Sequence, residues 1–267
     1  MSSVAPHFPA LPPSEPPHPD IRLSVVVPVR NEGPNILGLI AEIRAALAGE
    51  NFEIVYVDDG SDDDTPARLA EAAIGTNLVS RRHRSSCGQS AAVITGVRAA
   101  RGAWIATLDG DGQNDPADIS VLFTRALAAE ATGKRPVLVA GHRTTRRDGP
   151  TKRLTSRVAN AARAWQLRDA TPDTGCGLKL FRREAFLSLP QFDHMHRFLP
   201  ALFLRAGGQV VSVPVNHRPR VHGRSNYGTL DRLFVGIFDL VGVAWLQRRA
   251  CRPELETPGI EPPEAAG

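Results

Sequence analysis

The chain has 267 residues, of which 42% are hydrophobic and 22% charged, with a formal net charge of +4 at pH 7. This composition fits one large α/β domain or two small ones around a real core, and the modest charge argues against a dedicated nucleic-acid binder. Cys87, Cys176 and Cys251 are scattered without a C-x-x-C pair, so reduced thiols and a cytoplasmic location are expected.

The N-terminus carries no basic-then-apolar signal peptide, and the seven prolines within residues 1–20 predict a disordered leader. "LSVVVPV" (23–29) is a β-branched strand, followed by a helix over 36–48 with Ile36, Ile40, Ile43 and Leu47 on one stripe. "FEIVYVDDGS" (52–61) is a second strand breaking on acids and glycine, and Pro66 marks the first turn of the next helix. "TNLVSRRH" is a candidate third strand, "GQSAAVITGVRAARG" (88–102) a small-residue helix, and "AWIATLDGDG" a fourth strand. Beyond residue 136 come a fifth strand, "PVLVAGHR", and a helix near Pro150 with Leu154, Val158, Ala161 and Trp165 on one stripe. A strand–helix unit ("GCGLKLFRREAFLSL"), a further strand ("GGQVVSVPVNHRPR") and a last helix from about Leu230 to Arg249 complete the pattern.

Strands alternating with helices predict a mostly parallel sheet with crossover helices. The predicted organisation is a leader (1–20), an α/β domain (21–230), an apolar, interfacial helix (231–250) and a disordered tail (251–267). The longest apolar window, residues 233–246, is broken by Asp239 and falls short of the roughly 20 residues a membrane span needs. No transmembrane helix is predicted.

Ligands of such sheets bind at the carboxyl ends of the strands, where N-E (31–32), D-D-G-S (58–61) and D-G-D (109–111) fall. The last of these, in "LDGDGQNDP" (108–116), states its chemistry most openly. A calcium loop needs Gly at position six and Glu at twelve. Counting from Asp109 gives Asn114 and Ser120, and counting from Asp111 gives Pro116 and Leu122, so both registers fail. A phosphotransferase of the haloacid-dehalogenase type also writes D-x-D-G after a strand, with the first Asp as nucleophile. Here Gln113 replaces the Thr or Val of that motif, and the other acidic pair, Asp58/Asp59, lies upstream instead of downstream. A third reading fits better: Asp109 and Asp111, with Gln113 as a neutral ligand, hold Mg²⁺ or Mn²⁺ open to a nucleoside diphosphate. Asp115, before Pro116, is read as the cap of the next helix.

Seven blocks carry a resemblance: "VVVPVRNE" (25–32), "VDDGSDDDT" (57–65), "GQSAAVITGVRAARG" (88–102), "LDGDGQNDP" (108–116), "GHR" (141–143), "DTGCG" (173–177) and "VPVNHRPRVHGRSNYG" (213–228). In this order the chain resembles family 2 glycosyltransferases of the GT-A, Rossmann-like α/β fold, over roughly residues 22–230. The particular likeness is to dolichol-phosphate mannosyltransferases and their polyprenyl-phosphate relatives.

The resemblance implies an inverting, metal-dependent transfer of a hexosyl group from a nucleotide sugar to a polyprenyl phosphate, with GDP-mannose the first candidate donor. A UDP-sugar, a non-lipid glycan acceptor or a non-catalytic nucleotide-sugar-binding module stay open as alternatives. It implies donor contacts from Pro28, Asn31, Glu32, Asp58, Asp59 and Asp109, and an acceptor-phosphate grip from Arg143, Lys152, Arg153, Ser156 and Arg220. The catalytic set is Asp111, Arg143 and Asp173, where Asp173 is equally well read as a loop residue holding the Gly175–Gly177 turn. Asp62, Asp63 and Asp64 are read as solvated caps, and His194 and His196 as structural or acceptor-channel residues.

Between Arg143 and Arg168 lie eight Lys/Arg and a single acid, Asp148. Without interleaved aromatics or a base-reading motif this run does not point to nucleic acid. A phosphate monoester, with a second pKa of about 6, arrives mostly as a dianion at neutral pH and needs no general base. The last helix, with Trp245, Arg248 and Arg249 at its end, suits a membrane surface, and a separate membrane-anchoring protein is a further partner the pattern leaves open. Arg30, Gly112 and Asn226 depart from the family's usual aromatic, Leu and Lys.

Overall fold

The computed structural model describes residues 13–74, 76–133, 136–144, 164, 166–169, 171–220 and 229–249, the stretches 229–235 and 237 by their backbone alone. The expected helix near Pro150, and with it Lys152, Arg153 and Ser156, lies outside these residues, as do Asn226 and the tail from 251.

In chain order the elements are β1 (Leu23–Val29), α1 (Gly33–Ala46), β2 (Phe52–Asp58), α2 (Thr65–Ala73), β3 (Leu78–Arg82), α3 (Gln89–Ala99), β4 (Trp104–Thr107) and α4 (Asp118–Ala131). They continue with β5 (Val137–Arg143), β6 (Lys179–Arg182), α5 (Arg183–Leu187), a 3₁₀ turn (Met195–Arg197), α6 (Leu199–Arg205), β7 (Gln209–Val215) and α7 (Thr229–Arg248). The strands form one seven-stranded sheet in the order β3-β2-β1-β4-β6-β5-β7. Strand β6 runs antiparallel to both β4 and β5, and the other pairings are parallel. The sheet is therefore mostly parallel, as expected, with β6 wedged between β4 and β5. That wedge brings the chain back to the edge where β4 ends.

Strand β1 shows why helices cover both faces. Val25, Val27 and Val29 point into a core shared with Ile36, Ile40 and Ile43 of α1, Leu69 of α2 and Leu122 of α4. Val26 points the other way, towards Val93, Ile94 and Val97 of α3 and Phe203 of α6. Both faces of a doubly covered strand are mainly apolar for this reason; Ser24, the buried polar exception on β1, donates to Glu53 Oε1 at 2.7 Å. Helix α3 comes especially close: a Cβ on Gly96 would lie 2.4 Å from Val26 Cγ1.

Residues 13–20, expected to belong to a disordered leader, instead lie along the domain. The Glu15 amide donates to the Arg98 carbonyl at 2.8 Å and the His18 amide to Arg101 at 3.0 Å, and Arg183 Nη2 donates to the Glu15 carbonyl at 2.6 Å. Proline removes donors without preventing such extended pairing.

Helix α7 docks through Val243, Leu240 and Ala244 and turns Phe238 (77% exposed), Val241 and Trp245 (59%) outward. Arg249 lies 6.0 Å over the Trp245 ring. No helix among the described residues is long and apolar enough to cross a membrane.

Candidate active site

The first strand-end loops are stitched to each other. Asn31, at φ 57°, is in the left-handed region that Asn tolerates better than most residues. Its amide donates to Ser61 Oγ at 2.9 Å, its Nδ2 donates to Asp62 Oδ1 at 2.6 Å, and its Oδ1 accepts from the Asp62 amide at 3.0 Å. Asp63 caps both neighbours, accepting from the Thr65 and Gly33 amides. Glu32 accepts from Asn35 Nδ2 at 2.7 Å. Its carboxyl is raised by burial, the Asn35 bond opposing this and the Asp111 charge adding to it, so Glu32 belongs to the same field as the D-x-D acids.

The two acids of D-D-G-S face inward. Asp58, 1% exposed, accepts from the Ser61 amide at 2.8 Å and pairs with Arg82 Nε at 3.1 Å. Asp59 is a hub: it faces His83 Nδ1 at 2.7 Å and accepts from Ser86 Oγ at 2.7 Å, the Cys87 amide at 2.8 Å and the Gly88 amide at 2.9 Å. Burial pushes its carboxyl up, but these four partners outweigh that and hold it below the usual range. The His83 ring reaches on to Thr95 Oγ1 at 2.9 Å, so Asp59 fixes the loop that feeds α3.

The D-x-D acids have the opposite environment. Asp109 accepts one bond from Gln89 Nε2 at 3.0 Å. Burial and then the neighbouring Asp111 charge raise its carboxyl to about 6, against the pull of Lys179 and Arg143. The residue keeps some exposed surface; it is the enclosure of its carboxylate that raises the pKa. Asp111 accepts from the Gln113 amide at 3.1 Å and from Arg220 Nη2 at 2.5 Å. Two carboxylates with so few donors suit a hard divalent cation, which removes their repulsion; the donor set fits Mg²⁺ or Mn²⁺. Gln113 is tied elsewhere, its Nε2 donating to the Arg218 carbonyl at 3.4 Å. Asp115, expected to cap α4, instead accepts from the Ala117 amide at 3.0 Å in the turn before that helix, whose N-terminus has no side-chain cap.

The loop before β6 completes the site. A Cβ on Gly177 would lie 2.1 Å from Asp109 Oδ2, so only glycine lets this carboxylate in. Thr107 Oγ1 donates to the Gly177 carbonyl at 2.7 Å, fixing the approach. Arg143 and Asp173 form a two-pronged pair, Nε to Oδ2 at 2.6 Å and Nη2 to Oδ1 at 2.8 Å. Asp173 thus holds the arginine, and Arg220 holds Asp111, so two residues expected on the acceptor phosphate are engaged with acids of the site itself.

A cleft of about 300 Å³ opens beside Asp109. Its lining adds residues that the sequence patterns did not single out for chemistry: Gln89, Lys179 and Arg197. Lys179 Nζ donates to the Cys176 carbonyl; burial pushes its ammonium down, while Cys176, Asp109 and Asp173 pull it back up. A lysine within "GLKLF" reads as an ordinary strand residue, and only the antiparallel wedge of β6 places it under the D-x-D. His196 also lines the cleft and shares a 2.7 Å bond with Ser90 Oγ. Burial, with Lys179 and Arg197 nearby, pushes its imidazole down to about 3. His194 instead meets Asp239 Oδ2 of α7 at 2.9 Å.

Residues 24–189 match the model of glycosyl transferase family 2. The chain is 34% identical over 240 residues to dodecaprenyl-phosphate galacturonate synthase of Rhizobium johnstonii, covering 87% of this chain and 69% of that one. It is 35% identical over 229 residues to undecaprenyl-phosphate 4-deoxy-4-formamido-L-arabinose transferase of Pseudomonas paraeruginosa, covering 84% and 66%. The chain therefore spans about two thirds of the length of these relatives. Glucosyl-3-phosphoglycerate synthase from Mycobacterium tuberculosis, solved with Mn²⁺, UDP and glucosyl-3-phosphoglycerate, shares the fold with a TM-score of 0.56 at 23% identity, over 88% and 81% of the two chains. The chain belongs to glycosyl transferase family 2.

Proposed function

We propose that the protein transfers a sugar from a nucleotide sugar to a polyprenyl phosphate. The observation that carries this reading is the under-coordinated pair Asp109 and Asp111 at the end of β4, opposed by Arg143, Lys179 and Arg220. The two curated relatives, both named for polyprenyl-phosphate transfer, support the acceptor class. Neither name contains mannose, so GDP-mannose stands as one donor to test beside uronate and aminosugar donors.

Asp109 and Asp111 would hold a divalent cation, which when bound supplies charge to the donor's diphosphate. Pro28, Asn31 and Glu32, joined to the D-D-G-S loop, form the wall where we place the nucleoside. Asp58 and Asp59 act behind it, keeping that wall in shape. An acceptor phosphate already carries its nucleophilic oxygen as an anion, so no side chain has to take a proton. The chain's task is to bring two anions into line, which calls for cations. Arg143 and Arg220, held by Asp173 and Asp111, are the guanidinium groups that would meet the phosphates. We assign Asp173 the positioning of Arg143, not proton transfer. Lys152, Arg153 and Ser156 stay candidates for the acceptor side. The outward stripe of α7, Phe238, Val241 and Trp245 beside Arg248 and Arg249, is where we place the membrane surface.

The test uses purified protein with Mn²⁺ or Mg²⁺, a panel of GDP- and UDP-sugars and a polyprenyl phosphate, reading label that partitions into organic solvent. Transfer dependent on the cation and lost with a chelator is expected. Label transferred only to water-soluble glycans would overturn the acceptor assignment, and cation-dependent nucleotide binding without turnover would make the chain a binding module.

A further inference from the structure

The cleft beside Asp109 holds more cations than its partners account for. Arg143 is committed to Asp173 through two bonds, and Arg220 to Asp111. Lys179 faces Asp109, Asp173 and the Cys176 carbonyl. Arg197 alone has no such answer: it lines the cleft, half-buried, yet no ion pair or side-chain hydrogen bond holds its guanidinium among the described residues. The two histidines near it are both engaged, His194, just before the 3₁₀ turn, with Asp239 and His196, within it, with Ser90. A half-buried guanidinium kept without a partner is costly unless a ligand's anion completes it.

The position of Arg197 says which anion. The D-x-D acids look in two directions: Asp111 towards Arg220 on the chain leaving β7, and Asp109 towards Gln89 at the start of α3. Arg197 is on the Asp109 side, where Val93 of α3, Leu108 and Leu199 of α6, all buried, close the walls. Some 300 Å³ is at the small end of ligand cavities. A compact ring fits there. The same cleft places Arg197 beside Asp109, the acid proposed to hold the donor's diphosphate.

We propose that Arg197 selects a donor whose transferred sugar carries a carboxylate, a hexuronosyl group, by pairing with that carboxylate inside the cleft. This rests on the sugar-transfer reading and names its substrate class. A neutral sugar of the same shape would leave the guanidinium buried and unpaired, so discrimination comes from that penalty as much as from the new bond.

The experiment compares matched donors that differ only in a C6 carboxylate against a C6 hydroxymethyl: UDP-galacturonate with UDP-galactose, and GDP-mannuronate with GDP-mannose. Dissociation constants are measured on the Mn²⁺-loaded full chain by calorimetry, and transfer to polyprenyl phosphate is followed alongside. The uronate of at least one pair is expected to bind about 10- to 100-fold more tightly than its neutral partner. In Arg197→Met that preference collapses towards unity while affinity for the free nucleoside diphosphate is unchanged, and Arg197→Lys keeps part of it. Equal affinity for both members of each pair, with transfer intact, overturns the inference and spares the sugar-transfer reading. An Arg197→Met defect confined to KM for the lipid phosphate, equal for both donors, also overturns it and moves Arg197 to the acceptor. Absence of binding and turnover with every donor removes the reading on which it rests.

Discussion

Two aspartate pairs end two strands of one sheet, β2 and β4, on either side of β1, and they do opposite work. Asp59, after β2, is saturated by four partners and held below the ordinary carboxylate range. Asp109, after β4, has one amide donor, a like charge beside it and a carboxyl raised to about 6. Residue type and strand-end position are the same in both. What differs is the supply of donors: the 83–88 loop turns its amides and side chains onto Asp59, whereas the loop after Asp109 turns back on itself through Gln113 and Asp111. A saturated carboxylate builds structure, and a starved one waits for a cation.

The strongest way to break this contrast is to remove one acid from each pair. Asp111→Ala is expected to lower turnover by at least about 10³-fold, roughly 4 kcal/mol of transition-state stabilisation, and to abolish Mn²⁺ binding seen by electron paramagnetic resonance. Its circular dichroism and melting temperature should stay close to wild type. Full activity in this variant would remove Asp111 from the site. Asp59→Ala should do the reverse, costing on the order of 3 kcal/mol in urea unfolding because buried donors lose their acceptor. The pair is best read together with Asp109→Asn, which relieves a strained carboxylate and so should raise the melting temperature of the metal-free protein.

Much of the fold and of the site is legible in the sequence. The apolar stripe of Ile36, Ile40, Ile43 and Leu47 is buried throughout, and the polar clusters do gather at one edge because parallel strands must end together. The D-x-D pair was legible because a strand stopping on alternating acids has no good structural excuse. The pairings were not: Arg143 finds Asp173 and Arg220 finds Asp111 across 30 and 109 residues of sequence, distances that only the sheet order closes. Asp58 and Asp59 share their letters with functional acids, and nothing in one sequence shows how many donors will converge on them. Lys179 and Arg197 carry no motif at all; β6 and the 3₁₀ turn bring them in.

Gly177 sharpens the comparison from the other side. Glycine here follows from close approach to Asp109 Oδ2, not from the loop's own dihedral angles. Gly177→Ala must push the Asp109 carboxylate or the β6 entry aside, and turnover should fall by roughly 30-fold, about 2 kcal/mol. The affinity for Mn²⁺ should weaken with it, since the displaced group is a proposed ligand. A variant with unchanged cation affinity and unchanged turnover would show that Asp109 has room to spare.

The smallest effect concerns pH and a neighbour of the starved pair. His196 is held neutral, with its imidazole pushed down to about 3 from an ordinary value near 6.5. Between those values the unfolded chain binds a proton that the folded chain refuses, so this group makes stability fall as pH drops, by up to about 1.4 kcal/mol per pH unit. Asp109 has the opposite sign: its folded carboxyl keeps a proton up to about 6, where an unfolded aspartate has already lost it, so it makes stability rise as pH falls through that window. In the wild type the two slopes oppose each other over their shared range. His196→Gln, which keeps a hydrogen-bonding partner for Ser90, leaves the Asp109 slope exposed. The metal-free variant should therefore gain stability relative to wild type as the pH is lowered from 7 to 5, measured by urea unfolding at each pH. Parallel pH profiles for the two proteins would mean that the His196 ring accepts its proton where an exposed histidine does, and that the cleft wall beside Asp109 is open to water.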